Sequence, residues 1–151
     1  MKKIYVLAIL MMAVIGLQAQ TREDSLAIKQ AALDYVAGWQ SGDVDRVAKA
    51  VSPELAKRKV MHDPEGNYFI TDMSASLLIQ ATRGNKNGVR MGDLLPDEPF
   101  NPEVKILSIS GTVASVMTIT RKYGFLDYIH LSKYDGEWKI INVLWEFLPK
   151  E

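Results

Sequence analysis

The last third of the chain constrains the fold most. Four runs rich in Val, Ile, Leu, Thr and aromatic residues, at 104–110, 113–122, 126–134 and 138–147, follow one another closely. They are broken only by Ser110-Gly111, Tyr123-Gly124 and Asp135-Gly136, pairs suited to tight reversals. This spacing predicts an antiparallel meander.

The turns also predict a register. A two-residue turn at Asp135-Gly136 sets Leu131 opposite Ile140, Ile129 opposite Asn142 and Asp127 opposite Leu144. A second at Tyr123-Gly124 sets Thr118 opposite Ile129 and Val116 opposite Leu131. One sheet face then carries Ala114, Val116, Thr118, Thr120, Asp127, Ile129, Leu131, Trp138, Ile140, Asn142 and Leu144. The other carries Met117, Ile119, Tyr128, His130, Ile141, Val143, Trp145 and Phe147. Both faces are apolar, whereas a sheet with one wet face alternates apolar and polar residues. Helices from the first half of the chain can cover one face. The expected cover for the other is a second copy, in a homodimer joined through Met117, Ile119, Tyr128, His130, Ile141, Val143 and Trp145.

Upstream, the hydrophobic period changes to that of a helix. Thr21 and Asp24 have capping-box spacing, and Ile28, Ala32, Tyr35, Val36 and Trp39 behind them share one helical face. Gly42 ends that helix. Asp43 caps a second with Val44, Val47, Ala48 and Val51 on its stripe, and Pro53 stops it. A strand at 55–62, turn residues at 63–67 and a short strand at 68–70 follow. Thr71 or Asp72 then caps a third helix carrying Met73, Leu77, Leu78 and Ala81. Residues 89–102 hold three prolines and no clear period, as expected of an irregular loop or lid. The whole reads as an α+β domain.

Lys2 and Lys3, an uncharged run of 14 residues at 4–17, and Gln18-Ala19-Gln20 have the three parts of a secretory signal. The run is short of the roughly 20 apolar residues a membrane span needs. The expectation is a signal peptide at 1–19, cut after Ala19, and a single domain at 20–151 that works in the periplasm or outside the cell. The chain has no cysteine, which excludes disulfides and thiolate chemistry. Losing Lys2 and Lys3 takes the charge balance from 18 against 18 to 16 against 18, with no electrostatic footprint for nucleic acid. Lys57-Arg58-Lys59 is the one basic cluster and reads as a solvated edge strand.

Four stretches together resemble a known family: the Trp39-Gln40-Ser41-Gly42-Asp43 junction, Gly111-Thr112-Val113-Ala114-Ser115-Val116, Asp127-Tyr128-Ile129-His130-Leu131, and Asp135-Gly136-Glu137-Trp138-Lys139-Ile140-Ile141-Asn142. The sequence is similar to the nuclear transport factor 2-like superfamily, and within it to the lumazine-binding (SnoaL-like) branch of small exported bacterial proteins. The resemblance spans nearly all of 20–151. It implies a curled sheet wrapped around three N-terminal helices as a cone with an internal pocket, with the Trp138 and Ile140 side inward. It implies dimerisation through the outer face. Relatives include dehydratases, steroid isomerases, polyketide cyclases and non-catalytic binding or assembly domains, and fold alone does not choose among them.

The candidate ligand-binding residues are Tyr35, Trp39, His62, Asp127 and Asn142. Asp127 on the inner face is a partly desolvated carboxylate suited to acid–base work; on the rim it would be an ordinary salt-bridge partner. Asn142 needs hydrogen-bond partners there, which a ligand, a water or Thr118 can supply. Tyr35 and Trp39 offer aromatic walls and a phenol donor, or plain core. His62 is a potential base near neutral pH or an exposed strand-end residue. The two histidines lack metal-site spacing, and no metal or cofactor is expected. The leading expectation is a non-catalytic pocket protein for a small apolar or aromatic molecule. The alternatives are a cofactor-free lyase or isomerase using Asp127 with Tyr35, and an assembly domain working through the outer sheet face.

Overall fold

The computed structural model describes residues 2–85 and 97–149, with side chains from residue 22 onward. Helix α1 (Lys2–Ser41) leads through a tight turn into α2 (Val44–Ala50). A hairpin of β1 (Val51–His62) and β2 (Tyr68–Ser74) follows, and then α3 (Ala75–Arg83). The meander is β3 (Glu103–Ser110), β4 (Val113–Thr120), β5 (Phe125–Tyr134) and β6 (Glu137–Phe147). Three helices thus lie against a six-stranded sheet of order β2-β1-β6-β5-β4-β3. Every neighbouring pair is antiparallel except β1 with β6, which is parallel. The sheet is curled, mixed and unclosed, as the α+β cone expectation requires apart from that one parallel seam.

Local chemistry explains the helix ends. Asp43 caps α2 by accepting the Arg46 backbone N–H at 3.0 Å. Ser74, rather than Thr71 or Asp72, caps α3 through the Leu77 N–H at 3.3 Å, because β2 continues to Ser74. Nor does α1 begin at residue 21: nothing from Gln18 to Thr21 breaks a helix. Asp24 instead reaches from α1 to the sheet, accepting from Lys133 Nζ at 2.8 Å and Trp138 Nε1 at 2.9 Å. That ties α1 to the start of β6.

The core lies between α1 and the concave side of the sheet. Ile28, Ala32 and Val36 on α1 meet Val116, Ile129, Leu131, Ile140 and Val143 on the strands. A fully buried Ile or Leu is worth roughly 1.5–3 kcal/mol in apolar transfer, so this seam dominates the docking of helix on sheet.

The turns set the register, partly as predicted. Asp135 (φ 49°) and Gly136 (φ 83°) form a two-residue reversal that pairs Tyr134 with Glu137 and Leu131 with Ile140. The β4–β5 reversal is longer. A 3-10 turn at Arg121–Tyr123 and a left-handed Gly124 (φ 69°) pair Thr120 with Phe125 and Thr118 with Asp127, not with Ile129. A slip of two residues preserves which face each side chain occupies.

On β6 a bulge overturns part of the expected face assignment. His130 pairs with Asn142 and Leu131 with Ile140, so Ile141 is an extra residue. Beyond it the alternation reverses. Asn142 and Leu144 turn outward, while Val143 enters the core and Trp145 the concave side. Val143 and Trp145 are therefore not outer-face residues. Met117, Ile119, Tyr128, His130 and Ile141 do lie on the outer side, with Tyr128, His130 and Ile141 well exposed.

The irregular loop at 89–102 falls largely outside the described residues. Its described end rests on the β4–β5 turn, with the Phe100 ring 6.1 Å from Tyr123 and Lys122 Nζ donating to the Glu98 carbonyl at 3.0 Å.

Candidate functional site

Helix α1 lays Tyr35, Val36 and Trp39 across the open side of the curled sheet, and α3 adds Leu78 and Ala81. Between them and the strands is a cavity of about 330 Å³. The sheet contributes Lys57, Met73, Thr120, Phe125, Asp127 and Trp145 to its wall. The volume lies at the small end of the range for ligand pockets, roughly 300–1,000 Å³.

One wall is aromatic. Trp39 meets Tyr123 and Phe125 edge-on at 5.5 and 5.3 Å between ring centres, and Phe125 meets Trp145 at 5.7 Å. Such pairs prefer edge-to-face contact because each ring has a negative face and a positive edge. Two ammonium groups lie over the Trp145 ring, Lys57 Nζ and Lys59 Nζ each 4.7 Å from its centre.

The polar end is a compact cluster. Lys57 Nζ donates to the Tyr35 hydroxyl at 2.6 Å and to Asp127 Oδ1 at 3.0 Å. Tyr35 donates to the same Oδ1 at 3.1 Å, closing a three-membered ring of contacts. Thr118 donates to Asp127 Oδ2 at 3.3 Å. The ion pair is shielded, its side chains only 12% and 5% exposed for Lys57 and Asp127. Burial pushes the Tyr35 phenol well above its usual value, and the nearby Asp127 charge adds to this. Burial lowers the Lys57 ammonium, with Asp127 opposing the shift.

The structure brings Tyr35, Trp39 and Asp127 to one cavity and places the other two candidates elsewhere. His62 ends β1 at the hairpin tip, its ring 4.3 Å from Tyr68, because even-numbered β1 positions face outward. Asn142 lies past the bulge on the outer face, its amide nitrogen 3.2 Å from His130 Nδ1. Sequence reasoning missed Lys57. The basic run is not on an edge, since β1 lies between β2 and β6. Leu55, Lys57 and Lys59 share the inward parity, and the buried Leu55 was the signal that the odd positions face the core. Met73 and Phe125 were also missed as pocket walls: Met73 was expected on the third helix and lies on β2, and Phe125 was left between the expected turn at 123–124 and strand at 126–134 and opens β5. Among the described residues, no three His, Asp or Glu side chains cluster closely enough to hold a metal ion.

A helix-filled, curled sheet with a pocket at its open side is the nuclear transport factor 2-like, cystatin-like architecture. Solved structures share it. An NTF2-like protein of unknown function from Shewanella baltica OS155 is 17% identical, with 85% of this chain and 96% of that one covered at a TM-score of 0.60. One from Silicibacter pomeroyi DSS-3 is 18% identical, with 84% and 98% covered at 0.59. An NTF2-like protein with a cystatin-like fold from Novosphingobium aromaticivorans is 11% identical, with 91% and 90% covered at 0.59. No protein of curated function matches the sequence. Residues 23–146 match the family described as "Putative lumazine-binding", and the chain belongs to that family.

Proposed function

We propose that this protein is an exported pocket protein that holds a small, largely apolar or aromatic molecule without transforming it. The observation that carries this reading is the cavity, whose wall of Trp39, Phe125, Trp145, Met73 and Leu78 ends in one small polar cluster. Such a site gives a flat apolar ligand area to bury, and polar groups that fix its orientation. The family described as "Putative lumazine-binding" is consistent with a small-molecule ligand. Asp127 accepts from Tyr35, Lys57 and Thr118, so three of its roughly four acceptor sites are taken within the protein. A carboxylate held in that way is better suited to orienting a ligand than to removing its proton.

The test is a thermal-shift screen with flavins, pterins and aromatic acids, run beside the variant Ala81→Leu, which fills the cavity. A ligand that raises the melting temperature of the parent and not of the variant supports the reading. Equal shifts in both, or none from any member of the set, overturn it.

One observation favours a second reading, a cofactor-free lyase or isomerase. Tyr35 and Asp127 are within hydrogen-bond reach of each other at one cavity. That reading predicts protein-dependent exchange of a ligand C–H for deuterium in heavy water, abolished by Asp127→Asn.

Export rests on the residues at 1–20 and predicts an exported form beginning at Gln20. The apolar outer face, now Met117, Ile119, Tyr128, Ile141 and Leu144, supports a homodimer, which sedimentation at micromolar concentration tests.

A further inference from the structure

We infer that Lys57 is a reactive amine that captures carbonyl compounds entering the cavity, joining them to the protein as a Schiff base. The inference shares the cavity with the reading above but not its non-covalent chemistry.

Three features meet at this amine. It lines the apolar cavity directly, so a bound molecule lies against it. It has a carboxylate at 3.0 Å that can take its proton and a phenol at 2.6 Å that can pass one on. The phenol and carboxylate are themselves joined at 3.1 Å, so a proton moves between them without leaving the site. A lysine that served only to pair Asp127 would need neither the phenol nor an open cavity beside it.

The step balances with these groups alone. Asp127 takes one proton from the Lys57 ammonium, and the freed amine nitrogen attacks the carbonyl carbon. The carbonyl π electrons move to oxygen, which takes the proton held by Asp127, by way of the Tyr35 hydroxyl, and becomes the hydroxyl of a carbinolamine. The nitrogen releases a second proton to the Tyr35–Asp127 pair and its lone pair forms the C=N bond. The hydroxyl leaves as water with a proton from that pair. The sum is one ammonium plus one carbonyl giving one protonated imine and one water. No oxidant, metal or further reactant is required. The lowered basicity of Lys57 agrees with this chemistry, since a desolvated amine is free at a lower pH than an exposed one. The surrounding rings of Trp39, Phe125 and Trp145 keep bulk water from hydrolysing the imine. They also select the substrate class, a flat aromatic aldehyde or ketone.

The test is reductive trapping. The intact protein is incubated with 2-naphthaldehyde and cyanoborohydride at neutral pH, and the modified lysine is located by peptide mass spectrometry. Lys57 should be alkylated about tenfold or more faster than any exposed lysine, because the cavity holds the carbonyl beside its nitrogen. Tyr35→Phe should slow that labelling while leaving the surface lysines unchanged. Lys57→Arg, which keeps the charge, should abolish the fast phase. Labelling confined to surface lysines, or labelling of Lys57 unaffected by Tyr35→Phe, overturns the inference. 2-Naphthol, which has the same rings and no carbonyl, separates the two readings. A thermal shift with 2-naphthol, without trapping of the aldehyde, sinks the covalent step and leaves the pocket intact.

Discussion

Lys57 Nζ lies 2.6 Å from the Tyr35 hydroxyl, and both touch the same oxygen of Asp127. Three residues from α1, β1 and β5 therefore form one charge-compensated unit inside an apolar pocket. Breaking one partner of a buried pair leaves the other charge desolvated and unmatched, at a cost of about 3–5 kcal/mol. Replacing both by apolar groups of similar size is often nearly neutral. Asp127→Ala should therefore lower stability by about 3–5 kcal/mol. The double variant Asp127→Leu with Lys57→Met should recover most of that loss. Urea unfolding of the singles Asp127→Leu and Lys57→Met and of their double measures the coupling, and additive losses would show that the pair is not energetically joined.

The phenol gives the cluster a pH signature. The folded-state value of Tyr35 is raised well above 10, whereas an unfolded tyrosine loses its proton near about 10. Above that pH the folded chain holds a proton that the unfolded chain has released. The contribution is thus full below about pH 10 and is lost as pH rises beyond it. Lys57 works in the opposite sense. Its folded value is lowered, so the unfolded chain holds the extra proton and stability rises with pH just below about 10.4. Urea midpoints at pH 9 and pH 11 should fall more steeply for the parent than for Tyr35→Phe. Parallel lines would remove Tyr35 as the cause.

How much of this was legible follows from particular residues. Tyr35 and Asp127 were found because each sat on a periodic face, one helical and one pleated, and a two-residue error in the β4–β5 turn left their faces unchanged. Asn142 and Trp145 exchanged sides because a single extra residue, Ile141, reverses every position after it. No local preference marks that residue, since Ile140-Ile141 reads as strand in any register. Lys57 was hidden for another reason. Three consecutive charges suggest a wet strand, and only the parallel docking of β1 on β6 places them in the middle of the sheet. Long-range pairing of that kind leaves no mark in a local window.

Asp24 carries a second testable contact. Its carboxylate accepts from Lys133 and Trp138, and the Lys133 hydrogen bond is the main cause of its lowered value, with Trp138 next and burial opposing. A carboxylate with a depressed folded value stabilises above its unfolded value of about 3.9, and the gain is lost as pH falls through the folded value. Asp24→Asn should lower stability at pH 7 and flatten the acid limb below about pH 4. Acid titration followed by Trp fluorescence reports it. An acid limb unchanged in the variant would rule out this carboxylate as a contributor.

The junction that aims α1 at the sheet depends on Gly38. A Cβ there would stand 2.9 Å from Val47 Cγ2, 3.2 Å from Arg46 Cβ and 3.2 Å from the Asp43 carbonyl oxygen. Val47 is fully buried and cannot swing away, and α2 is held close by Arg46 Nε at 2.6 Å from Asp34 on α1. Alanine in a helix interior normally gains about 1 kcal/mol over glycine. Overpacking a tight contact costs about 1–3 kcal/mol. The two oppose, and the contact should win, so Gly38→Ala is expected to destabilise by about 1 kcal/mol net. Pairing it with Val47→Ala clears the obstructing methyls at the price of a cavity of its own. In the Val47→Ala background, adding Gly38→Ala should therefore stabilise. Thermal unfolding of the four chains reads the sign of each step. A stabilising Gly38→Ala in the parent would mean that α2 yields without loss, and that the short turn at Gly42 rather than this contact sets the helix angle.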